Sequence, residues 1–442
     1  MLNTKMHALM REVNGSVAER EDLIEAIAVA LLTRRNLFIL GDTGQAKSYA
    51  INEFRRRIIG AKQFERLLSK QADEEQLFGR IDLSSLIPGN PDSAVLAADA
   101  EYQALLNDLE NAPEDMLPNV LYNLDQRRRT LYALHGSTPH LITAGKIPDS
   151  HIVFLDEIFK ANDGILNALL TALNERRFTN EGQTTEIPVI SFFAASNEIP
   201  NFKNPEEAIL KPLYDRLELN LKTEYVQDRD ARLRALSNKQ GASVAPQCTI
   251  TLDELIVMQS EVSAIVVPNF INELMDDILC ELRDRKIHVS DRKYFSYAPL
   301  AQAMAWLRGG STVDTQDLLI LRHYLWTEPS EREIINQVLD RRCVNPLQNE
   351  LDEIVNMGTE SYADFEGNID SESNRRIGKL RNEFLQLYSS ILTLRNDTRT
   401  PEELAQIDST VAQLEELSQR AHAASAFTYA PLQELFALRG TN

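Results

Sequence analysis

Long apolar runs, cysteine and positive charge are all scarce in this 442-residue sequence, and each scarcity removes a class of function. No apolar stretch approaches the ~18 residues that a membrane span needs. The opening MLNTKMHALMREVNG has no apolar core of the signal-peptide kind, so no export is expected. Cys248, Cys280 and Cys343 are far apart, odd in number and free of CxxC or Cys/His spacing. That excludes a disulfide framework or zinc site and predicts buried thiols in a reducing, cytoplasmic setting. Lys and Arg number 46 against 66 Asp and Glu, a net charge of −20. Clustered cations drive binding to a nucleic-acid backbone, so this average field repels phosphate polymers and the expected partners are proteins.

What is present is an ordinary globular composition, 43% hydrophobic and 25% charged, long enough for two or three domains. One stretch, NLFILGDTGQAKS at 36–48, carries chemistry. Leu37 to Leu40 reads as a short buried parallel strand, and YAINEFRRRII after Ser48 reads as a helix. Between them Gly41, Asp42, Thr43, Gly44, Gln45, Ala46, Lys47 and Ser48 follow the phosphate-loop pattern G-x-x-x-x-G-K-[ST], with Ala46 replacing its second glycine. In such a turn, backbone N–H groups and the positive end of a helix face a polyphosphate, the lysine reaches the terminal phosphates, and the hydroxyl ligates Mg2+. If φ at position 46 is negative, the extra methyl costs little. On these residues alone a chance glycine turn remains the alternative.

Two further strand endings decide between the readings. HIVFLDEIF at 151–159 ends an apolar run in Asp156-Glu157. By itself that pair suits any strand entering a helix N-terminus, where acids are favoured. IPVISFFAASN ends in Ser196-Asn197. Three strands with polar ends, following such a loop, fit the rule that open α/β sheets bind ligands at strand C-termini. A nucleotide site is the reading.

With these residues in place the sequence resembles the AAA+ ATPases of the MoxR group, most closely the RavA-like branch, from about Val17 to Asp340. The resemblance rests on VAEREDLIEAIAVALL, on the A-K-S loop ending at Ala46-Lys47-Ser48, and on DEEQLFG, TAGKIP and FLDEIFKANDGILNALLTALNERRF. AASNEIP, LYDRLEL and VSDRKY complete it. It implies ATP and ADP as ligands with Mg2+, Lys47 as the phosphate lysine, and Ser48 as the metal hydroxyl. Asp156 is then the acid acting on the metal through water, Glu157 the catalytic base and Asn197 the first sensor. Arg216 is implied as a finger entering a neighbour's site and Arg292 as the second sensor, whose lid would close and transmit nucleotide state. A finger supplied in trans implies a homo-oligomeric ring, and the family implies a hexamer.

The expected architecture is α/β: an AAA+ αβα parallel-sheet core at 1–222, an all-α lid at 223–345, and a C-terminal helical region at 346–442. Strands are expected near 36–41, 62–68, 151–156, 188–195 and 217–221. NERRFTNEGQTTEIPVI predicts a β-hairpin at about 175–188. Its rim offers Arg176 and Arg177, but also Glu175, Glu181 and Glu186. Where the family has a short hairpin, this chain inserts helical sequence at about 88–140, whose second helical stretch carries Arg127-Arg128-Arg129. Trp326 reads as a packing residue. Ile377, Leu380, Phe384, Leu387, Ile391 and Leu394 step in heptads, and Leu404, Ile407, Val411 and Leu414 repeat the stepping after a cap at Thr400, which predicts two antiparallel helices.

The function expected is a ring-forming ATP hydrolase that remodels or matures protein complexes, with a von Willebrand A-type partner. The alternatives are a nucleic-acid-associated AAA+ machine and a nucleotide-gated scaffold.

Overall fold

Leu37–Leu40 is buried at every position because both faces of its sheet are covered, which is why the sequence there is continuously apolar rather than alternating. The structure, a computed structural model, describes residues 2–439 except 43, 46, 82–90, 92, 114–115, 136–140, 181–182, 241–245, 345, 367–372, 396–400 and 426. Five parallel strands form the main sheet: β1 (Leu37–Leu40), β2 (Gln63–Leu67), β3 (Ile152–Asp156), β4 (Ser191–Ser196) and β5 (Leu219–Lys222). Their spatial order is β5-β1-β4-β3-β2, with β3 and β4 buried along nearly their whole length. The five expected strands are therefore all present.

Helix α1 (Lys47–Arg55) follows β1 directly. The inserted sequence forms α2 (Ala100–Asn111) and α3 (Leu117–His135). Asp99 caps α2 by accepting from Tyr102 N at 2.8 Å, and Arg127 ties α3 back to Asp99 and Glu101 at 2.7 Å each. Much of the basic run is thus consumed inside the insertion, Arg129 pairing with Asp125. After β3, Asn162 caps α4 (Asp163–Glu175), whose Ile165, Leu166, Leu169, Ala172 and Leu173 recur at three- and four-residue intervals and are buried. They pack with Phe38, Val153, Leu155 and Phe192 of the sheet.

The expected hairpin is present as antiparallel strands Arg177–Asn180 and Gln183–Glu186; Glu181 and Gly182 at its turn lie outside the described residues. Phe178 stacks on Phe78 with ring centroids 4.5 Å apart, which pins the hairpin to the core. Trp326 is fully buried, as expected of a packing residue.

The chain divides into two compact units. The first holds residues 1–267, 291–313 and 323–329; the second holds 268–290, 314–322 and 330–442. The segment expected as a lid, 223–345, is shared between them. In the second unit the two heptad stripes lie on α6 (Ser373–Arg395) and α7 (Pro401–Ser425), after α5 (Pro346–Glu366). Ile377, Leu380, Phe384, Ile391, Ile407 and Leu414 are all buried, so the stripes are core. Thr400, expected to cap α7, lies outside the described residues. The hairpin expectation needs one correction, because α5 adds Leu347, Leu351, Ile354 and Phe365 to the same core. Its apolar spacing is broken by Gly358, where a Cβ would collide with Leu414 of α7, so close packing there replaces a readable side chain.

In the first unit, a buried ion network joins the N-terminal helix Leu2–Ser16 to α1. Arg57, 3% exposed, reaches Glu53 and Glu12 at 2.8 Å each, and Glu12 also accepts from Gln247 N at 3.0 Å and Cys248 N at 2.7 Å. Burial opposes the Glu12 charge, but these hydrogen bonds outweigh it and hold the carboxyl down at about 2. With the folded pKa below the unfolded 4.5, the contribution is complete above pH 4.5 and is lost as the pH falls toward about 2. Glu12→Gln is expected to lower the melting temperature at neutral pH and to flatten the acid limb in that window, read by melts across the acid range.

Candidate active site

Gly41 donates from its amide to Ser196 O at 3.1 Å, continuing the β1–β4 ladder one residue past the end of β1. Register then fixes what surrounds the turn. Leu40 is level with Ser196, and Asp156 with Ala195. The turn after β1, Asn197 after β4 and Glu157 after β3 thus emerge side by side at one edge of the sheet. Strands lie ~4.8 Å apart, so the first and third of these endings are separated by about 10 Å, room for a phosphate chain between them.

Lys47 opens α1 and is 8% exposed. Its ammonium donates to Gly41 O and, at 3.3 Å, to Ser196 O. Burial pushes the Lys47 pKa down, while the nearby Asp156, Glu157 and Asp42 carboxylates act in the opposite direction. The carboxyl of Asp156 is pushed up, first by burial, against the pull of Glu157 N and of Lys47. Lysine and acids are therefore brought together as the sequence suggested. Glu157 sits in the left-handed region, φ 54 and ψ 46, a conformation that costs a non-glycine residue ~1–3 kcal/mol and gathers at functional sites. Its Oε2 is buried, accepts no hydrogen bond, and has Lys160 Nζ at 3.3 Å.

Two residues that sequence reasoning missed hold this edge. Arg20, 6% exposed, donates to Gln45 O at 3.0 Å and to Glu224 O at 2.8 Å, tying the loop to the end of β5. Thr223 donates to the Gln45 side chain at 2.7 Å. Neither belongs to a spacing pattern, so a single sequence carries no signal for them. A Cβ at Gly41 would collide with both Thr223 Oγ1 and Gln45 Oε1, so this glycine is required by close approach. Gly44 has φ 88. Thr43 and Ala46 lie outside the described residues, and with them the expectation about φ at 46.

The residues fit a magnesium nucleoside triphosphate. A glycine-floored turn and a helix N-terminus face a buried lysine, Ser48 follows that lysine, and two carboxylates stand opposite, Glu157 with a buried oxygen that accepts no hydrogen bond. Ser48 and Asp156 would hold the metal.

Arg216 and Arg292 are not brought to this edge. They line a separate cavity of about 310 Å³ with Arg34, Arg35, Arg176 and Glu218. Asn36 precedes β1, Glu218 precedes β5, and Leu173 and Asn174 end α4, so this cavity lies at the strands' N-terminal edge. Gly41 lies five positions after Asn36, ~16 Å of strand. Arg292 donates to Asn174 Oδ1 at 2.8 Å, and Arg216 donates from Nη1 to Pro212 O at 2.6 Å. Arg292, expected as the second sensor, thus stands at the edge opposite Lys47 in its own copy. Its short helix Asp291–Phe295 groups with the sheet unit, next to Arg216.

A family model described as the MoxR domain in MoxR-vWA-beta-propeller ternary systems matches residues 4–142 and 131–260. An AAA lid domain model matches 267–339. Two uncharacterized proteins of Methanocaldococcus jannaschii are similar. One is 28% identical over 335 residues, 76% of this chain and 73% of that relative; the other is 27% identical over 326 residues, 74% and 72%. A structural protein of the Acidianus two-tailed virus is 20% identical over 370 residues, 77% of this chain and 52% of that relative. A solved structure of a candidate ATPase from Cytophaga hutchinsonii shares the fold, with a TM-score of 0.53 and 14% identity, covering 76% of this chain and 94% of its own.

Gly41→Ala is expected to weaken binding of a fluorescent ATP analogue by roughly tenfold or more, since forcing a methyl into a packed site costs ~1–3 kcal/mol. Circular dichroism should show the helical content retained. Unchanged affinity would remove the turn from the binding site.

Proposed function

The chain belongs to the MoxR family of AAA+ ATPases, and from that premise we propose that it hydrolyses ATP in a ring of its own copies, a hexamer as the family suggests, to remodel or mature protein complexes. The observation that carries the reading is the division of labour between the two edges of one sheet. The cradle with its lysine and acids stands at one edge, and the guanidinium groups of Arg216 and Arg292 at the other. An arginine side chain spans far less than the ~16 Å between them. Each cradle is therefore completed by arginines from the next copy, and a heterologous contact of this kind makes a cyclic ring when its rotation closes.

In this reading Lys47 leaves the carbonyls of Gly41 and Ser196 and binds the terminal phosphates, joined by the N–H groups at the start of α1. Magnesium, held by Ser48 and by Asp156 through water, would neutralise charge on the phosphate oxygens. Glu157, whose buried Oε2 accepts no hydrogen bond and has Lys160 beside it, accepts the proton of the attacking water. Asn197 orients that water or the γ-phosphate. Arg216 and Arg292 of the neighbouring copy stabilise charge as it develops on the transferred group. Phosphoryl transfer is mostly positioning and charge stabilisation, which is the chemistry such a site supplies.

The family description names von Willebrand A and β-propeller proteins alongside MoxR. It supports a von Willebrand A-type partner for this chain, and the cytoplasm as the setting remains part of the same proposal. Placement in the RavA-like branch rests on the A-K-S loop. A nucleic-acid machine is disfavoured by the hairpin. Arg176 is turned back over Phe192, its guanidinium 5.1 Å from the ring, and burial pulls its pKa down to about 10. Arg177 lies 3.5 Å from Glu186.

Glu157→Gln is expected to retain ATP and lose turnover, measured as phosphate release against retained nucleotide. Undiminished steady-state hydrolysis would take Glu157 out of the mechanism. Arg216→Ala should lower kcat by ~10³-fold or more, with ATP affinity nearly unchanged. Equal kcat in wild type and variant would overturn the ring-shared site.

A further inference from the structure

The arginine cavity contains a cation that neither the sequence motifs nor the family description assigns. Arg34 ends the helix Glu21–Thr33 in the left-handed region, φ 56 and ψ 34, where glycine is the favoured residue. Its amide closes the helix on Ala30 O. The side chain is exposed and, among the described residues, has no hydrogen-bond or ion-pair partner.

Its neighbours in the cavity are engaged. Arg35 is paired with Glu218, whose other oxygen accepts from Asn36 N at 3.1 Å. Arg176 donates to Leu173 O, Arg34 O and Asn36 Oδ1. Arg292 rests on Asn174, while Arg216 leaves its buried Nε without a partner. Five guanidinium groups therefore face one carboxylate that is already neutralised. One of the five, Arg34, is presented unpaired by a strained backbone, and it repels the charge on Arg176 in doing so. Such an excess of unpaired donors is matched by a polyanion that enters from outside.

We propose that Arg34 is a third arginine acting in trans, with Arg216 and Arg292, on the phosphates of the neighbouring copy's ATP. This rests on the ring-shared reading above and goes beyond it by assigning a further catalytic residue. The cavity takes the terminal phosphates, and Arg34 stabilises the charge spread over their oxygens. It makes no contact with its own protomer's nucleotide.

Arg34→Gly is the variant of choice, because glycine adopts φ 56 freely and the fold should hold or gain stability. Its melting temperature should equal or exceed wild type, its affinity for a fluorescent ATP analogue should be unchanged, and kcat should fall roughly 10²-fold. Mixing Arg34→Gly with Lys47→Ala then tests the direction of action. Each alone should be nearly inactive. The mixture should regain hydrolysis, because the lysine variant supplies Arg34 to a neighbour whose cradle is intact.

The matching mixture of Arg216→Ala with Lys47→Ala separates the two levels of inference. If that pair recovers activity and the Arg34 pair does not, Arg34 has no role in trans and the ring-shared site stands. If neither pair recovers while wild type hydrolyses ATP, the ring-shared reading fails and this proposal with it. Wild-type kcat in Arg34→Gly also overturns the proposal.

Discussion

The hydrogen bond from Gly41 N to Ser196 O holds the chemistry of this protein in register. It is a ladder bond made one residue beyond β1, and it places the phosphate-loop turn beside the strand endings that carry Asn197 and, one strand further, Asp156 and Glu157. Lys47 donates to that same Ser196 carbonyl and to Gly41 O. The carbonyls that locate the turn also hold the lysine where a phosphate would displace them. Gly41 has no room for a side chain because Gln45 and Thr223 close over it. Arg20 fixes Gln45 from beneath by its carbonyl. Register, close approach and one buried cation thus make a cradle from a short stretch of chain.

Parallel strands have two unlike edges, and this chain uses both. Carboxylates, amide and lysine collect at the C-terminal edge, where successive strands release their chains toward a shared crevice. Arginines collect at the N-terminal edge, where helices return and the chain re-enters the sheet. Asn36 shows how firmly that second edge is built. Its side chain donates to Arg216 O at 2.9 Å and accepts from Arg176 at 2.8 Å and from Phe192 N at 3.3 Å. The residue just before β1 therefore anchors the backbone of Arg216. Cradle and cation are joined through β1, whose two ends they occupy. That separation keeps Arg216 and Arg292 away from the cradle of their own copy.

Where local pattern and local geometry coincide, the sequence was readable. All five strands lie within a few residues of their expected positions, because continuous apolar runs ending in glycine or acid leave few other solutions in an open α/β sheet. The lysine and acid pair was readable for the same reason. Arg176 was not. It looked like a basic residue at an exposed hairpin, but a left-handed turn at the end of α4 folds it back over Phe192. Arg127 was also misleading as part of a basic run, because Asp99 at the cap of α2 neutralises it. The third helix beside the C-terminal hairpin was hidden by Gly358, which contributes by lacking a side chain.

By itself the sequence determined the parallel sheet, the phosphate-loop turn, the acids opposite it and the heptad stripes, since each is written in residues close together along the chain. Only the tertiary structure decided which arginines share a cavity, because Arg34, Arg216 and Arg292 meet through packing between segments with no common period. It also decided that Arg292 stands with Arg216 at the far edge of the sheet, away from Lys47. The physical reason lies in the range of the forces. Periodicity and turn chemistry act over a few residues, whereas the position of a charge depends on whatever the fold brings against it.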